Sequence, residues 1–293
     1  MKIKVITSYK PGTWEQYGKK GIESMAEQFP KEIDIVVYTE EPKPECRYDR
    51  IQWIDLNSAE PELFKFKNKH KDDPVANGEL QEIPGGVRRP AELKTKGGKD
   101  ATKGSYLWAA VRFSNKVFCV VNAVRNSKEY DYVVWIDGDT FTFRPVPIDF
   151  FGNLLPKNTM LTYLGRENPK LNDGGKYPEC GFVGYNMKHP EIQNFINDWE
   201  KLYITDEVFK LLEWHDSYIF WHLSKIYRRD RSIQVNDIGY WKGVKGHHVF
   251  VNSELGQYMD HMKGKRKKIG TSARSDLRSA PTVDYWRKAP PTI

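Results

Sequence analysis

The runs "IKVIT" (3–7), "IDIVVYT" (33–39) and "YVVWI" (132–136) limit this chain most, because they are apolar and β-branched with almost no polar alternation. A strand that is apolar on both faces must be covered on both faces, which is the condition of a parallel sheet between helices. The stretch from Thr13 to Phe29, ending before Pro30, reads as a helix between the first two strands, and "IQWIDL" (51–56) reads as a third strand. Strand, helix, strand opens a mostly parallel α/β sheet.

Further along, Leu107, Trp108, Val111, Val117, Phe118, Val121 and Val124 recur at spacings of three and four, predicting a helix over 105–126 that places Arg112 and Lys116 on one face. A strand is expected at "MLTYL" (160–164), a glycine-rich segment at 172–186, and helices from Pro190 to Tyr203 and around "WHDSYIFWHL" (214–223). The polar stretch 68–104 is too long for an ordinary connection and reads as a functional loop or an insertion. With no internal repeat and no clean linker, the expectation is a single domain over 1–270 with a basic C-terminal tail over 271–293.

Composition excludes several classes. At 39% hydrophobic and 13% aromatic over 293 residues, the chain can bury a sizeable core and is not disordered. No apolar run approaches the ~20 residues of a membrane span, and "MKIKVITSYK" shows no signal-peptide core, so a cytoplasmic location is expected. Cys46, Cys119 and Cys180 are odd in number and widely spaced, unlike a zinc site or a disulfide scaffold. Between His261 and Ile293, nine Lys/Arg less two Asp leave +7, equal to the net charge of the whole chain. Such a segment is either a solvated tail or an anion-binding surface.

The run at 132–136 ends in Asp137-Gly138-Asp139. In extended chain, residues i and i+2 face one side, so the two carboxylates can converge. At about 4 Å they repel by roughly 4 kcal/mol at an effective dielectric near 20, so a proton or a cation must accompany them. Oxygen ligands favour Mg²⁺ or Mn²⁺ over zinc, and such an ion neutralises charge developing on a diphosphate leaving group. The alternative is a plain strand-ending turn, where Asp and Gly are ordinary. The buried strand before the pair favours the ligand site, since open α/β sheets bind ligands at the carboxyl ends of their strands. A haloacid-dehalogenase-type phosphatase also carries Asp-x-Asp, but with Thr or Val two residues past the second Asp, where this chain has Phe141.

With strand-helix-strand ahead of "VVWIDGDTFTF", the chain resembles nucleotide-sugar glycosyltransferases of the GT-A fold, whose Asp-x-Asp holds the metal. "HMKGKRK" fits His-x-x-Gly-x-x-Lys, similar to the glycogenin and lipopolysaccharide galactosyltransferase family. That resemblance implies Asp137, Asp139 and His261 as ligands of Mn²⁺ or Mg²⁺, with Gly138 between the acids, and Gly264 and Lys267 at the diphosphate. "AVRFSNKVF" is similar to a helix that faces the donor, implying Arg112 and Lys116. "ECGFVGYN" looks like the strand flooring the donor sugar, implying Cys180 and Gly181, with Glu179 beside it as a catalytic candidate. "WHDSYIF" occupies the place of the family's Asp-Gln-Asp segment, which implies Asp216 near the reacting sugar while Trp214 and His215 depart from it. "ITSYKPG" follows the first strand, implying Thr7, Ser8 and Tyr9 at the nucleotide. Lys267 is followed by Lys268 and Ile269 where the family usually has Pro-Trp. "RFSNKVF", "DGDT" and "YNMKHP" are similar in flavour to glycosyltransferases of tailed phages, for which the location would be the host cytoplasm.

The expected activity is therefore metal-dependent transfer of a sugar from a nucleoside diphosphate sugar, with UDP as the nucleotide and retention of anomeric configuration implied by the resemblance. The basic tail leaves a hydroxylated base in double-stranded DNA as one acceptor, through sequence-independent phosphate contacts and a flipped base. A glycan, lipid or protein hydroxyl is the alternative acceptor. A metal-dependent phosphatase and a non-catalytic nucleic-acid-binding protein are the alternatives from other classes.

Overall fold

The computed structural model describes residues 1–91, 105–166, 177–239 and 248–293. Gly97, Gly98 and Gly104 of the polar stretch, and residues 172–176 of the glycine-rich segment, lie outside the described residues. Internal contacts group the chain into two compact units. The first comprises Met1–Asp55, Asn126–Ile192 and Ile233–Ile293; the second comprises Leu56–Arg125 and Gln193–Ser232.

The first unit holds a mostly parallel seven-stranded sheet: β1 (Ile3–Ser8), β2 (Asp34–Thr39), β3 (Ile51–Asp55), β4 (Tyr132–Ile136), β6 (Leu161–Leu164), β7 (Glu179–Asn186) and β8 (Val235–Asp237). Their spatial order is β3-β2-β1-β4-β7-β6-β8. β1 lies parallel to both β2 and β4, so the chain runs outward to β3 and returns to the other side of β1. That reversal of strand order falls between β1 and β4, the place where open α/β sheets take ligands at the carboxyl ends of their strands. β7 is antiparallel to both β4 and β6, which ends the parallel run.

Both parities of the central strands are buried, as their continuous apolar runs require. Ile3, Val5, Ile35, Val37, Val134 and Ile136 pack in one cluster with Ile22, Met25 and Ala26 of helix α1 (Lys19–Gln28), with Phe29 just past its end, and with Phe150, Phe151 and Leu154 of the helix over 148–154. Residues of the opposite parity, among them Ile6, Val36, Tyr38, Val133 and Trp135, are also buried.

The structure differs from expectation in three places. The helix expected over 13–29 begins as a single π-helical turn, Trp14–Gly18, and becomes α-helical only at Lys19. A separate antiparallel ribbon of two three-residue strands, β5 (Thr140–Thr142) and β9 (Met259–His261), has no counterpart in the sequence reading, because three residues are too few to show a period. Residues 271–293, expected as a basic tail, belong to the first unit: Ser272, Ala273 and Trp286 are buried, and the Trp286 indole donates to the Gly256 carbonyl at 2.7 Å.

In the second unit the expected helices appear as Ala110–Arg125 and Asp216–Asp230. The described part of the polar stretch is organised around the buried Asp73, whose carboxylate accepts from the backbone N–H groups of Val75, Ala76 and Val87.

Candidate metal and diphosphate site

The β5–β9 ribbon joins residues more than a hundred positions apart. Thr140 pairs with His261, and the Met262 N–H donates to the Asp139 carbonyl at 2.9 Å. Close backbone approaches seat the loop between Asp137 and Thr140. A Cβ on Gly21 of α1 would collide with the Gly138 carbonyl, and one on Gly138 would collide with the Ser8 carbonyl at the end of β1. A Cβ on Gly181 of β7 would lie 2.7 Å from the His261 ring. Only glycine fits at these positions, and the gain is a loop locked between a helix, a strand and an imidazole.

The site's geometry follows. His261 Nε2 lies 3.3 Å from Asp137 Oδ2 and 3.2 Å from Asp139 Oδ1. Ligand atoms of these three residues all lie within 4.8 Å of one another. Neighbouring ligands of an octahedral cation with bonds near 2.1 Å are about 3 Å apart, so the two carboxylates and the imidazole fit a hard divalent ion. Both oxygens of Asp137 are engaged, since Oδ1 accepts from the Trp135 indole at 2.6 Å. The second oxygen of Asp139 lies 2.9 Å from the Lys267 ammonium.

Around this trio, charge is matched almost one for one. His261 Nδ1 lies 2.9 Å from Glu179 Oε1, an ion-pair contact off the straight N–H···O line. Glu179 Oε2 accepts from Lys263 at 2.7 Å and from Arg166 at 2.6 Å. Burial alone would raise Glu179, but Lys263 and His261 overcome it and hold the carboxyl well below its usual range. Asp139 is likewise held down against its burial by His261 and Lys267, with Asp137 pulling the other way. Burial opposes a charge on His261, yet Asp139, Asp137 and Glu179 raise it well above an ordinary histidine. His248 goes the other way, pushed by burial down to about 3, and its Nε2–H donates to the His261 carbonyl at 2.8 Å.

Of the residues expected at the site, the first unit gathers Asp137, Gly138, Asp139, Glu179, Gly181, His261 and Lys267. Ser8 supplies the carbonyl beneath Gly138, and the buried Thr7 hydroxyl beside it has no hydrogen-bond partner among the described residues. Cys180 is buried in β7 between Glu179 and Gly181. Gly264 turns the chain at φ +65°, and the Lys267 N–H donates to its carbonyl at 3.3 Å. Tyr9 is packed: its ring lies 5.3 Å from that of Trp14, and its hydroxyl is 3.3 Å from Thr39 Oγ1.

Arg112, Lys116 and Asp216 belong to the second unit. Arg112 is exposed, and Lys116 pairs with Asp216 at 2.5 Å, so each of these two neutralises the other. His215, which departs from the family pattern, caps the Asp216–Asp230 helix by accepting from the Tyr218 N–H.

Sequence reasoning missed Lys263, Arg166, His248 and Tyr17. Lys263 stands two residues after His261 in "HMK", a spacing that shares one side of an extended chain and could have been read. No local pattern marks the other three.

No family model matches the sequence, and no curated protein matches it. Solved structures similar in outline include the bifunctional glycosyltransferase WbbM (13% identity, 81% of this chain and 38% of that one, TM-score 0.40), a glycosyltransferase involved in glycosylation of the major capsid of PBCV-1 (12%, 92% and 98%, 0.45), and mouse xyloside xylosyltransferase 1 (11%, 80% and 83%, 0.41). The chain thus spans well under half the length of the WbbM chain. At TM-scores below 0.5 these likenesses carry no functional weight.

Proposed function

We propose that the chain is a glycosyltransferase of GT-A type that moves a sugar from a nucleoside diphosphate, UDP in the reading from sequence, to an acceptor hydroxyl. The observation that carries this is the convergence of Asp137, Asp139 and His261 with Lys267 already drawn to Asp139. Those three side chains would hold Mn²⁺ or Mg²⁺, and the imidazole nitrogen suits Mn²⁺ better. When bound, the ion supplies positive charge against the developing charge of a departing diphosphate.

The chain's own groups do the rest. Three carboxylates (Asp137, Asp139, Glu179) face three cations (Lys263, Lys267, Arg166), so with a divalent ion the site becomes net positive and suits a diphosphate. Lys267 is a compact ammonium on a flexible stem, free to exchange Asp139 for a phosphate oxygen. Glu179, proposed from sequence as a catalytic group, is better read as the counter-charge that orients His261 and Lys263. A phosphatase that attacks through its first aspartate needs one Asp137 oxygen for the metal and the other for the attack, and is disfavoured because Oδ1 is held by the Trp135 indole at 2.6 Å.

The acceptor reading rests on surface charge. Lys265, Lys268, Arg274, Arg278, Arg287 and Lys288 are exposed, which supports phosphate contacts to double-stranded DNA. Binding that weakens steeply with added salt is the expected behaviour, and no binding at low salt would leave a glycan, lipid or protein hydroxyl as acceptor.

The test is thermal unfolding with a panel of nucleotide sugars, with and without Mn²⁺. Stabilisation by one nucleoside diphosphate sugar that requires Mn²⁺, and its loss in Asp139→Asn, is the expected outcome. Equal stabilisation of wild type and Asp139→Asn would sink the assignment. NMR of the product anomer then decides between retention and inversion.

A further inference from the structure

The sequence reading left Tyr17 unused, and the structure puts it beside the diphosphate-facing lysine. The Lys267 ammonium lies 4.3 Å from the centroid of the Tyr17 ring while also lying 2.9 Å from Asp139 Oδ2. Tyr17 is buried, its hydroxyl accepts the Lys10 N–H at 3.1 Å, and it sits in the π-helical turn Trp14–Gly18. Single π-helical turns recur at functional sites. Four residues on, Gly21 is keyed against the Gly138 carbonyl, so the helix that carries the ring is fixed to the loop that carries Asp139. At the next residue, a Cβ on Gly18 would lie 3.1 Å from Trp14 and 3.3 Å from Tyr9, so this turn is packed closely on both rings.

The two partners of Lys267 differ in what happens when the site fills. Asp139 is claimed as a metal ligand, and its hold on the ammonium weakens. The face of a neutral ring competes with neither a metal nor a phosphate. We propose that Tyr17 is a positioning residue: its ring is the permanent seat of the Lys267 ammonium and keeps that charge at the diphosphate when Asp139 is taken up by the ion. This role rests on the donor reading above.

The experiment has two readouts. In the ligand-free protein labelled with ¹³C at lysine Cε, the Lys267 signal, assigned as the one missing from Lys267→Met, should be shifted upfield by the ring current. Tyr17→Phe should keep that shift and Tyr17→Leu should lose it. Calorimetry of UDP in the presence of Mn²⁺ should show Tyr17→Leu weakened about five- to thirtyfold, the range of a partly desolvated cation–π contact, and Tyr17→Phe within about twofold of wild type. In the Lys267→Met background, Tyr17→Leu should have no further effect, which a purely structural role would not predict. A loss that persists undiminished in that background, or a Tyr17→Leu protein that binds like wild type, would overturn the proposal. An unshifted Lys267 signal in wild type would overturn the contact. A wild type that shows the shift but takes up no UDP with Mn²⁺ would overturn the donor reading and this role with it, leaving the contact established.

Discussion

Asp260 and His261 are neighbours on β9, and the alternation of a strand sends them to opposite sides of the ribbon. Asp260 is fully buried, and its partners are hydroxyls and backbone: the Ser272 N–H at 2.8 Å, the Ser272 hydroxyl at 2.6 Å, the Tyr285 hydroxyl at 2.8 Å and the Thr271 hydroxyl at 3.3 Å. On His261's side, Asp139 is almost as deeply buried, but it is held by charged and exchangeable partners, Lys267 and the imidazole. One carboxylate is solvated by fixed dipoles and fastens the C-terminal segment. The other is balanced by cations that a metal ion can displace. Depth of burial does not separate a structural acid from a ligand; the kind of partner does.

The largest expected effect tests that contrast directly. Asp260→Ala leaves buried donors without an acceptor and should cost about 3–5 kcal/mol in urea unfolding. Asp139→Asn keeps the shape and leaves the partly exposed Lys267 on the Tyr17 ring, so it should cost about 1 kcal/mol while removing the Mn²⁺-dependent stabilisation altogether. If the two variants lose similar stability, or if Asp260→Ala alters Mn²⁺ uptake as Asp139→Asn does, the division of β9 into a fastening side and a binding side collapses.

That division was only half legible in the sequence. "YVVWIDGDT" gave Asp137 and Asp139 because an apolar run ending in acids is a local pattern, and "HMKGKRK" gave His261 and Lys267 because the resemblance ties them to one site. The strands of the parallel sheet were legible for the same reason, since burial on both faces is written in each run. What was not legible depends on pairing across the chain. The ribbon needs Thr140 opposite His261, the seat of Lys267 needs Tyr17, and the anchor of residues 271–293 needs Ser272 and Tyr285 against Asp260. Asp260 itself, one residue from a proposed ligand, carries no sequence signal of its structural role. The basic count over 261–293 suggested a loose tail because charge is visible in composition while Trp286 packing is not.

Tyr285→Phe sharpens the fastening side alone. The ring stacks on Phe143 at 4.0 Å with the planes 4° apart, and the variant retains that contact while deleting the hydroxyl that donates to Asp260. A hydrogen bond to a buried carboxylate predicts a loss of about 2 kcal/mol in the free energy of urea unfolding. Affinity for UDP with Mn²⁺ should stay within about twofold, as the hydroxyl serves the other side of β9. A tenfold fall in that affinity with little change in stability would mean that the anchor reaches the site.

The smallest effect is also the most discriminating in pH. Asp276 accepts from Arg266 Nε and from the Ala273 N–H, each at 2.9 Å, and closes the turn that follows Lys267. Burial would raise its carboxyl, but the Arg266 guanidinium outweighs it and holds the group below its ordinary value of 3.8. A carboxyl depressed by folding contributes stability that is complete above the unfolded value and is lost as pH falls through the folded one. Asp276→Asn should therefore cost about 1 kcal/mol at pH 7, with the gap from wild type unchanged to about pH 5 and closing below 3.8. Urea midpoints of both proteins from pH 7 down to about 2.5 measure it. A gap that stays open at the acid end would assign the loss to shape rather than charge, and would move Asp276 from the exchangeable, cation-held class of Asp139 to the dipole-held class of Asp260.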